Sequence, residues 1–412
     1  MRLVVLAAHP DDESLGAGGL ISTAVASGLE VVIVCATDGE HSHPDSPTCT
    51  PAELAVIRSR EGRAAATALG VTELHRLELP DGGLEAHEDL VVTKLVDLVG
   101  DGRQTVIAAP WRSDGHPDHE TAGRAAAAAA RRTGADLWEY PVWFWHWGTP
   151  DEAPWQSLHP FALEGGALAA KAAAIRAHLS QVAPLSALQG DETLLGPELL
   201  AHFADSPEHF LCTPSEECPD DSLDRLHLNA ADPWGADSRW YEQRKRDLVL
   251  AALPKPSFDR TLELGCSTGA LAEALAGRSR QVVAVDRSSA ALAAARRRLV
   301  AHDGVRVARL DLPREWVPDL SFDLVVVSEM GYFLSPAALE QLVDRVVGSL
   351  DPQGVVVLCH WRHRVEGWVL DADRVHAAFE DPRLPPLRAT YRDRDVEIRV
   401  HARDDSWPDP LR

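Results

Sequence analysis

The sequence predicts an α/β protein of two domains, each a mostly parallel sheet flanked by helices. Its 412 residues exceed the usual size of one hydrophobic core. In both halves, short apolar runs alternate with Ala-rich helical patterns, as in parallel βαβ units. Between the halves lies a stretch rich in Pro, Asp, Glu and Ser, which is typical of a connector. We therefore expect domains at residues 1–210 and 231–412, joined by a linker at 211–230.

The first half begins with a βαβ pattern. Buried strands are predicted at RLVVLAA and EVVIVCATDG, with a crossover helix at GAGGLISTAVASG between them. We then predict a helix at AELAVIRSREGRAAATALG, a strand at TVIAAPW and a helix at HETAGRAAAAAARRTG. The aromatic run DLWEYPVWFWHWGTP has the alternation of a strand; it would suit stacking on a sugar, although aromatic strands more often belong to a core or an interface.

The second half restarts the same alternation. Strands are predicted at TLELG, QVVAVD, VRVARLD, FDLVVVSE and GVVVLCH. Helices are predicted at LAEALAG, AALAAARRRLV and LEQLVDRVVGSL. This order predicts a second α/β sheet.

Charge and composition exclude several classes of protein. Forty basic and 63 acidic residues give a formal net charge of -23, which repels nucleic acid and anionic membrane surfaces. The six cysteines form no C-x-x-C pair, so neither a disulfide framework nor a thiolate zinc site is indicated. The chain shows no signal-peptide pattern and no run of roughly 18 apolar residues. We expect a cytoplasmic protein without a nucleic-acid or membrane partner, and leave its oligomeric state open.

The tripeptide His-Pro-Asp occurs three times. In two copies it lies where a strand gives way to a helix, which is where open α/β sheets bind ligands. The first copy brings His9, Asp11 and Asp12, and the last brings His116 and His119. A catalytic zinc ion typically has three protein ligands and one water. Two ligands can come from the first copy and one imidazole from the last, while the other imidazole faces the reacting group.

A single His-Pro-Asp is more often a turn or a helix cap than a ligand site. The middle copy, HSHPDSPTC, lies in a Pro-, Ser- and Thr-rich stretch without a following helix. We expect this copy to be a loop whose His41 and His43 are solvated, with a position bordering a substrate entrance as the alternative.

Several motifs of the first half resemble the PIG-L/LmbE-like family of zinc-dependent deacetylases. They occur in the family's order over about residues 1–210: AHPDDE, TDGE at 37–40, IRSREGRAAATALGV at 57–71, HPDH at 116–119 and KAAAIRAHLSQ at 171–181. The resemblance implies that zinc, or another divalent cation, is bound by His9, Asp12 and His119. It also implies that Asp11 is the general base and that His116 is the acid or oxyanion stabiliser.

The same resemblance assigns two further residues and shows one departure. Arg58 matches a substrate-contacting arginine, and Asp118 matches a residue that orients His116. Asp114 stands where some relatives have a tyrosine, so we expect oxyanion stabilisation to differ here. These roles suit amide hydrolysis, because a metal polarises the carbonyl and lowers the pKa of bound water toward ~7.

In the second half, a glycine turn links a strand to a helix. The sequence TLELGCSTGALAEAL carries Gly265 and Gly269 in an E-x-G-x-x-x-G pattern, which differs from the dinucleotide fingerprint. The next strand ends at Asp286, whose carboxylate could accept hydrogen bonds from both hydroxyls of a ribose. Asp311 ends the following strand, within plausible reach of an adenine amino group. This series resembles class I S-adenosylmethionine-dependent methyltransferases.

A narrower resemblance, to NodS-like N-methyltransferases, covers about residues 230–400. It is carried by DPWGADSRWYEQRKRDLVLAALP, ELGCSTGALAEALA, LDLPREW, VVVSEMGYFLS and CHWRH. It implies that the cofactor is bound by Gly265, Gly269, Asp286 and Asp311, and that Tyr241 and Arg244 help to close the pocket.

Two polar residues at strand ends are candidates for handling the acceptor amine. Glu329 and His360 each follow a predicted strand, and either could bind the amine and remove its proton; both could equally be structural polar residues. Methyl transfer itself depends mostly on positioning.

Taken together, the motifs predict two Rossmann-like domains in one bifunctional enzyme. A deacetylase exposes an amine and an N-methyltransferase consumes one, so we hypothesise that an N-acetylated amino sugar or glycoside is hydrolysed and then N-methylated. Two alternatives stay open: the domains act on unrelated substrates, or a non-catalytic domain that binds S-adenosylmethionine regulates the deacetylase.

Overall fold

The computed structural model describes residues 1–149, 151–204, 207–318 and 320–407. It divides into two compact units, Met1–Pro219 and Asp220–Arg412. Each unit contains a seven-stranded, mostly parallel sheet with helices around it, which confirms the predicted α/β fold class.

The first unit has strand order β3-β2-β1-β4-β5-β7-β6. Strands β1 to β5 pair in parallel, and β7 and β6 extend the sheet antiparallel. The strands are β1 (Arg2–Ala7), β2 (Glu30–Thr37), β3 (Glu73–Leu79), β4 (Thr105–Pro110), β5 (Asp136–Tyr140), β6 (Leu158–Phe161) and β7 (Glu208–Thr213). The helices are α1 (Asp12–Ala26), α2 (Pro51–Ala68), α3 (Glu88–Val99), α4 (Pro117–Thr133), α5 (Phe144–Trp147), α6 (Gly165–Ala177), α7 (Leu179–Val182) and α8 (Pro197–Ala204).

Local sequence explains where two of these helices begin. Helix α2 starts with a capping box, in which Thr50 accepts the N–H of Glu53 and Glu53 accepts the N–H of Thr50. Helix α4 has Pro117 in its first turn, where no backbone donor is needed. The alanines of α4 at positions 125–130 are all buried, so the low-complexity tract is a core-packing surface of this helix.

The second unit repeats the arrangement with strand order β10-β9-β8-β11-β12-β14-β13. Its strands are β8 (Phe258–Leu264), β9 (Ser279–Asp286), β10 (Val305–Arg309), β11 (Phe322–Ser328), β12 (Leu350–Trp361), β13 (Leu387–Arg392) and β14 (Val396–His401). Its helices are α9 (Ser222–Asn229), α10 (Trp240–Ala252), α11 (Ala270–Ala276), α12 (Ser289–Arg298), α13 (Pro336–Ser349) and α14 (Ala372–Ala378). Strands β11 and β12 are apolar and buried in their interiors, as expected for central parallel strands.

The strand order reverses direction between β1 and β4, and again between β8 and β11. At such a switch point the connections leave toward opposite faces, which opens a crevice at the carboxyl ends of the strands. The outer His-Pro-Asp copies follow β1 and β4, and the glycine turn and Glu329 follow β8 and β11, so both groups lie at the switch point of their sheet.

Three local expectations differ from the structure. The aromatic run is not one strand: β5 ends at Tyr140, and the chain turns into α5 because Asp114 accepts the N–H groups of Val142, Trp143 and Phe144. His43 is buried rather than solvated, since its Nε2 lies 3.0 Å from the carbonyl oxygen of Glu192.

The third difference concerns the stretch at 211–230, whose composition indicated a connector. It contains the end of β7 and the whole of α9, and the chain passes from the first compact unit to the second between positions 219 and 220.

In the described part of the chain, no helix combines the length and apolar character that crossing a bilayer requires.

Candidate active sites

The first site brings together His9, Asp12 and His119. Nδ1 of His9 lies 3.2 Å from Nε2 of His119. The Asp12 carboxylate lies 3.3 Å from Nε2 of His119 and 3.7 Å from Nδ1 of His9. One of its oxygens also accepts the backbone N–H groups of Ala8 and His9, which fixes its orientation. Three potential metal ligands from two distant segments therefore converge.

Three surrounding carboxylates determine which nitrogen of each imidazole is unprotonated and faces the other ring. Nε2 of His9 lies 3.2 Å from Asp81 and 3.3 Å from Asp118. Nδ1 of His119 lies 2.6 Å from Asp114. Because an ionised carboxylate only accepts hydrogen bonds, these outer nitrogens carry the protons of the neutral rings. In two neutral rings the nitrogens that face each other are then both unprotonated, and a proton or a metal ion between them would relieve the repulsion of their lone pairs.

The spacing fits a tetrahedral metal. Bonds of about 2.0–2.1 Å place neighbouring ligand nitrogens about 3.3 Å apart, close to the 3.2 Å found between His9 and His119. The ring nitrogens of His9, His116 and His119 also lie within 4.8 Å of one another, so His116 borders the same centre. Burial opposes protonation of His9, but the carboxylates of Asp118, Asp12 and Asp81 raise its pKa well above the usual value. The site thus favours positive charge.

Asp11 lies beside this centre and does not share its ligand contacts. It is buried, its backbone has φ of 131°, and its carboxylate accepts no hydrogen bond from the described residues. Burial and the negative charge of Asp12 raise the pKa of Asp11 to about 7, although His178 and Arg58 act in the opposite direction. These are the properties of a general base working near neutral pH.

His116 precedes α4 as its N-cap residue. Its Nδ1 accepts the backbone N–H of Asp118 at 3.2 Å, so in the neutral ring Nε2 carries the hydrogen. Burial and the neighbouring His119 and His9 lower the pKa of His116 to about 4. The ring can donate a hydrogen bond without being charged.

Asp118 does not orient His116 through its carboxylate. That carboxylate accepts the backbone N–H groups of Gly82 and Leu84 and lies 3.3 Å from Nε2 of His9. It therefore orients a candidate metal ligand, and only its backbone N–H contacts His116.

Arg58 is a buried cation close to Asp11. One of its nitrogens donates to the carbonyl of Gly39 at 2.7 Å, whereas Nε and Nη2 have no hydrogen-bond partner among the described residues. Burial lowers its pKa and the charge of Asp11 raises it. Two donors thus remain available in the candidate substrate region.

Sequence reasoning missed the roles of Asp114 and Asp81. Asp114 was identified only as a departure from the family, yet its fully buried carboxylate holds His119. Asp81 follows β3 and precedes two glycines, and an acidic residue at a strand end was the available signal.

The aromatic run reaches the first site through Trp143. Its half-buried ring meets His116 edge-on at 5.9 Å, and its backbone N–H donates to Asp114 at 2.7 Å. A planar apolar wall therefore borders the candidate catalytic residues.

The second site is built on the glycine turn between β8 and α11. Gly265 and Gly269 both have positive φ, and a Cβ on Gly265 would lie 2.6 Å from Cβ of Met330. The Asp286 carboxylate accepts the N–H groups of Ser267 and Ser288, one on each oxygen. Since a carboxylate oxygen can accept more than one hydrogen bond, both oxygens keep acceptor capacity. This arrangement can accept the two hydroxyls of a ribose.

Two further acidic residues, Glu263 and Asp311, lie near the glycine turn. Glu263 is buried with one oxygen unpartnered among the described residues, and burial raises its pKa to about 8. Asp311 lies beyond the end of β10, where its N–H donates to Glu315 and the preceding Leu310 donates to the carbonyl of Asp286. The predicted cofactor residues at positions 265, 269, 286 and 311 thus surround the ends of β8, β9 and β10.

Helix α9 also contacts the turn, which the sequence did not predict. Nε2 of His227 lies 3.4 Å from Oγ of Ser267, and Asp224 accepts a hydrogen bond from Ser288. The amphipathic spacing of SLDRLHLN was the available signal.

Glu329 follows β11 with a positive φ of 55°, an uncommon backbone conformation for this residue type. Its carboxylate lies 3.0 Å from Nζ of Lys245 and accepts hydrogen bonds from the Tyr332 hydroxyl and the Trp361 N–H. The carboxylate is therefore already held by one cation and two donors. Lys245 in turn lies over the ring of Tyr241, with 5.0 Å between Nζ and the centroid.

Tyr241 and Arg244 occupy different surroundings on α10. Tyr241 borders Lys245, whereas Arg244 donates to Asp393 at 2.8 Å and to the Tyr391 hydroxyl at 2.5 Å. Within the described residues, Arg244 makes no hydrogen bond to the glycine turn.

His360 lies in β12 and is fully buried. Its Nδ1 lies 3.0 Å from Nε2 of His376, and its own Nε2 has no partner among the described residues.

Comparisons with known proteins match the two halves separately. Residues 4–130 match the PIG-L family model, described as GlcNAc-PI de-N-acetylase, and residues 261–354 match a methyltransferase-domain model. Nodulation protein S of Sinorhizobium fredii is 31% identical over 148 residues, 35% of this chain and 64% of that protein. Diacetylchitobiose deacetylase of Thermococcus kodakarensis is 33% identical over 125 residues, 30% of this chain and 46% of that protein.

The chain thus spans less than two thirds of the length of these curated relatives. A crystal structure of N-methyltransferase NodS from Bradyrhizobium japonicum, in complex with S-adenosyl-L-homocysteine, is 23% identical. It covers 44% of this chain and 97% of its own, with a TM-score of 0.41.

Proposed function

The chain joins a PIG-L-type de-N-acetylase domain to a NodS-like methyltransferase domain, and on that premise we propose that it removes an acetyl group from an N-acetylated amino sugar and then N-methylates the freed amine. The observation that carries the first step is the convergence of His9, Asp12 and His119 beside Asp11. The residues that support the second step are the glycine turn and Asp286.

In the hydrolytic step, His9, Asp12 and His119 would hold zinc or another divalent cation. A bound cation supplies polarisation of the amide carbonyl and a lowered pKa for water. The unpartnered carboxylate of Asp11 takes the proton of the attacking water, and Nε2–H of His116 donates to the carbonyl oxygen as it becomes negative. The proton then passes to the nitrogen, and amine and acetate leave.

In the transfer step, Gly265, Gly269, Asp286 and Asp311 would hold S-adenosylmethionine. When bound, this cofactor supplies an electrophilic methyl group. The chain's task is to bring a neutral amine into line with that methyl group, and most of the acceleration comes from this positioning.

The amino-sugar class is supported by the relatives. Diacetylchitobiose deacetylase acts on an N-acetylated sugar by its name, and a Bacillus subtilis relative is described as a probable N-acetyl-alpha-D-glucosaminyl L-malate deacetylase. Trp143 beside His116 offers an apolar wall for a sugar ring.

The test supplies the metal-loaded full chain with N,N′-diacetylchitobiose or with glucosamine, each with S-adenosylmethionine. We expect acetate and an N-methyl product from the first and an N-methyl product from the second, both detected by mass spectrometry. Asp11→Asn should block both products from the acetylated sugar and leave methylation of glucosamine intact.

Two results would contradict the proposal. If Asp11→Asn still methylates the acetylated sugar, the order of steps is wrong. If acetate forms but the deacetylated sugar is never methylated, the two domains act on separate substrates.

A further inference from the structure

A buried chain of polar groups joins β12, α14 and β14 near the carboxyl end of β12. It consists of His360 on β12, His376 on α14 and Glu397 on β14, each at most 2% exposed. Nδ1 of His360 lies 3.0 Å from Nε2 of His376, and Nδ1 of His376 lies 3.4 Å from the Glu397 carboxylate. The three side chains form one continuous path.

The path fixes both ring tautomers. Arg399 donates to Glu397 at 2.7 Å and Arg392 lies 3.1 Å from it, so this carboxylate is ionised and only accepts. Nδ1 of His376 must therefore carry hydrogen, which leaves its Nε2 as an acceptor. Nδ1 of His360 must then be the donor, and Nε2 of a neutral His360 is a lone pair.

That lone pair is buried and has no donor among the described residues. A buried acceptor without a partner destabilises the folded state, so its retention calls for a donor in the working state. Burial, the neighbouring His376 and the cation of Lys245 all lower the pKa of His360 well below its usual value. Nε2 consequently stays unprotonated at neutral pH.

The position of Nε2 points to the acceptor amine. A Cβ on Gly331 would lie 3.3 Å from Nε2 and 2.5 Å from a methyl group of Val375, so the absence of a side chain lets the Gly331 backbone lie close to this nitrogen. Gly331 follows Met330, whose Cβ would lie 2.6 Å from a Cβ on Gly265 of the glycine turn. The turn and Nε2 therefore lie against neighbouring residues of the same short segment.

We propose that Nε2 of His360 accepts a hydrogen bond from the neutral acceptor amine of the methyl transfer, and that His376 and Glu397 are positioning residues that hold His360 in the required tautomer. This inference rests on the proposed function. The hydrogen bond aims the nitrogen lone pair at the sulfonium methyl group. The new N–C bond forms as the C–S bond breaks, its electron pair goes to sulfur, and the methylated ammonium releases a proton to water.

The same geometry separates His360 from Glu329. One Glu329 oxygen accepts hydrogen bonds from the Tyr332 hydroxyl and the Trp361 N–H. The other makes no hydrogen bond within the described residues but lies 3.0 Å from Nζ of Lys245, whereas Nε2 of His360 has neither an ion pair nor a hydrogen bond there. Of the two strand-end candidates, His360 is therefore the one whose acceptor atom faces no cation at ion-pair distance.

The experiment uses the full chain labelled with ¹⁵N-histidine and three variants. His376→Leu removes the acceptor for Nδ1–H, and His376→Gln restores one through its amide oxygen. His401→Leu is the matched control, because His401 is also buried with an unpartnered Nε2 but pairs with Val356 in the middle of β12, away from its carboxyl end.

NMR should show Nε2 of His360 unprotonated at neutral pH in the native chain and in His376→Gln, but not in His376→Leu. Adding glucosamine with S-adenosylhomocysteine should shift the Nε2 signal of the native chain. In turnover, His376→Leu should lower kcat/KM for the amine by about tenfold to a hundredfold, with unchanged affinity for S-adenosylhomocysteine. His376→Gln should recover most of that loss, and His401→Leu should have no effect.

A protonated Nε2 in the native chain, or an Nε2 signal that glucosamine leaves in place, would overturn the inference. So would full methylation by His376→Leu. The tautomer and the shift are read without turnover, so they judge this inference even if the sequence of reactions proposed above is wrong.

Discussion

Asp114 accepts a 2.6 Å hydrogen bond from Nδ1 of His119 while its two oxygens also accept the N–H groups of Val142, Trp143 and Phe144. One buried carboxylate thus orients a candidate metal ligand and turns the chain that carries the aromatic wall. Partners of this kind fix the tautomer of a metal-bound imidazole and increase its basicity.

Asp114→Asn should therefore weaken metal binding by about tenfold to a hundredfold, because the amide can present a donor to Nδ1. Titration of the metal-free chain with Zn²⁺ measures this. Asp191→Asn, which alters an acid bonded to Ser46, Thr48 and Ser186, serves as the control. Equal Zn²⁺ affinity in both variants would contradict the role given to Asp114.

Trp143→Ala should weaken recognition of the sugar and spare the chemistry. Loss of an aromatic contact of about 1 kcal/mol corresponds to roughly a fivefold rise in KM. Kinetics should show this rise for N,N′-diacetylchitobiose, little change in kcat, and recovery in Trp143→Phe. An equal effect on a small acetamide without a ring would mean that Trp143 supports the catalytic residues instead.

Gly265→Ala should abolish cofactor binding. Its φ is 76°, and the added Cβ would lie 2.6 Å from Cβ of Met330, so the turn must shift. Calorimetry with S-adenosylhomocysteine measures the effect. Gly277→Ala is the control, since its φ of -75° suits alanine and, among the described residues, its Cβ would meet only the carbonyl of Ala274, at 3.5 Å. If Gly265→Ala bound S-adenosylhomocysteine with normal affinity, the glycine turn would not be part of the cofactor site.

The buried ion pair between Lys171 and Glu208 should make single substitutions costly. Their charged atoms lie 2.8 Å apart, and Glu208 also accepts the N–H groups of Gly19 and Leu20. Lys171→Met leaves that carboxylate uncompensated, which should cost about 3–5 kcal/mol of unfolding free energy. Urea denaturation tests this, and Lys171→Met combined with Glu208→Gln should be more stable than Lys171→Met alone.

The second unit should lose stability in mild acid. Burial lowers the pKa of His376 to about 4, with Arg399 acting in the same direction and Glu397 against it, and His360 is lowered further beside His376 and Lys245. The unfolded chain, with histidine pKa near 6.5, binds protons that the native state does not. The stability gained from keeping these histidines neutral is fully present above about pH 6.5 and is lost as the pH falls toward 4.

For His376 alone this shift corresponds to about 3 kcal/mol. The unfolding free energy can be measured from the hydrogen exchange of the β12 backbone amides at increasing denaturant concentration. It should fall from pH 7 to pH 4. His376→Gln should reduce the slope by up to about 1.4 kcal/mol per pH unit. An unchanged slope would show that His376 does not contribute.

The sequence by itself determined the two α/β sheets and most of the residues that converge at their switch points. Some features depend on a few neighbouring residues and can therefore be predicted from the sequence. They are the apolar strand runs, the capping box at Thr50 and the glycines at 265 and 269. Only the tertiary structure decided which partners hold those residues. Asp114 orients His119, Asp118 orients His9 rather than His116, and His376 sets the tautomer of His360. A hydrogen bond between side chains depends on distances of tenths of an ångström between separate elements, and those distances exist only once the sheets and helices have packed.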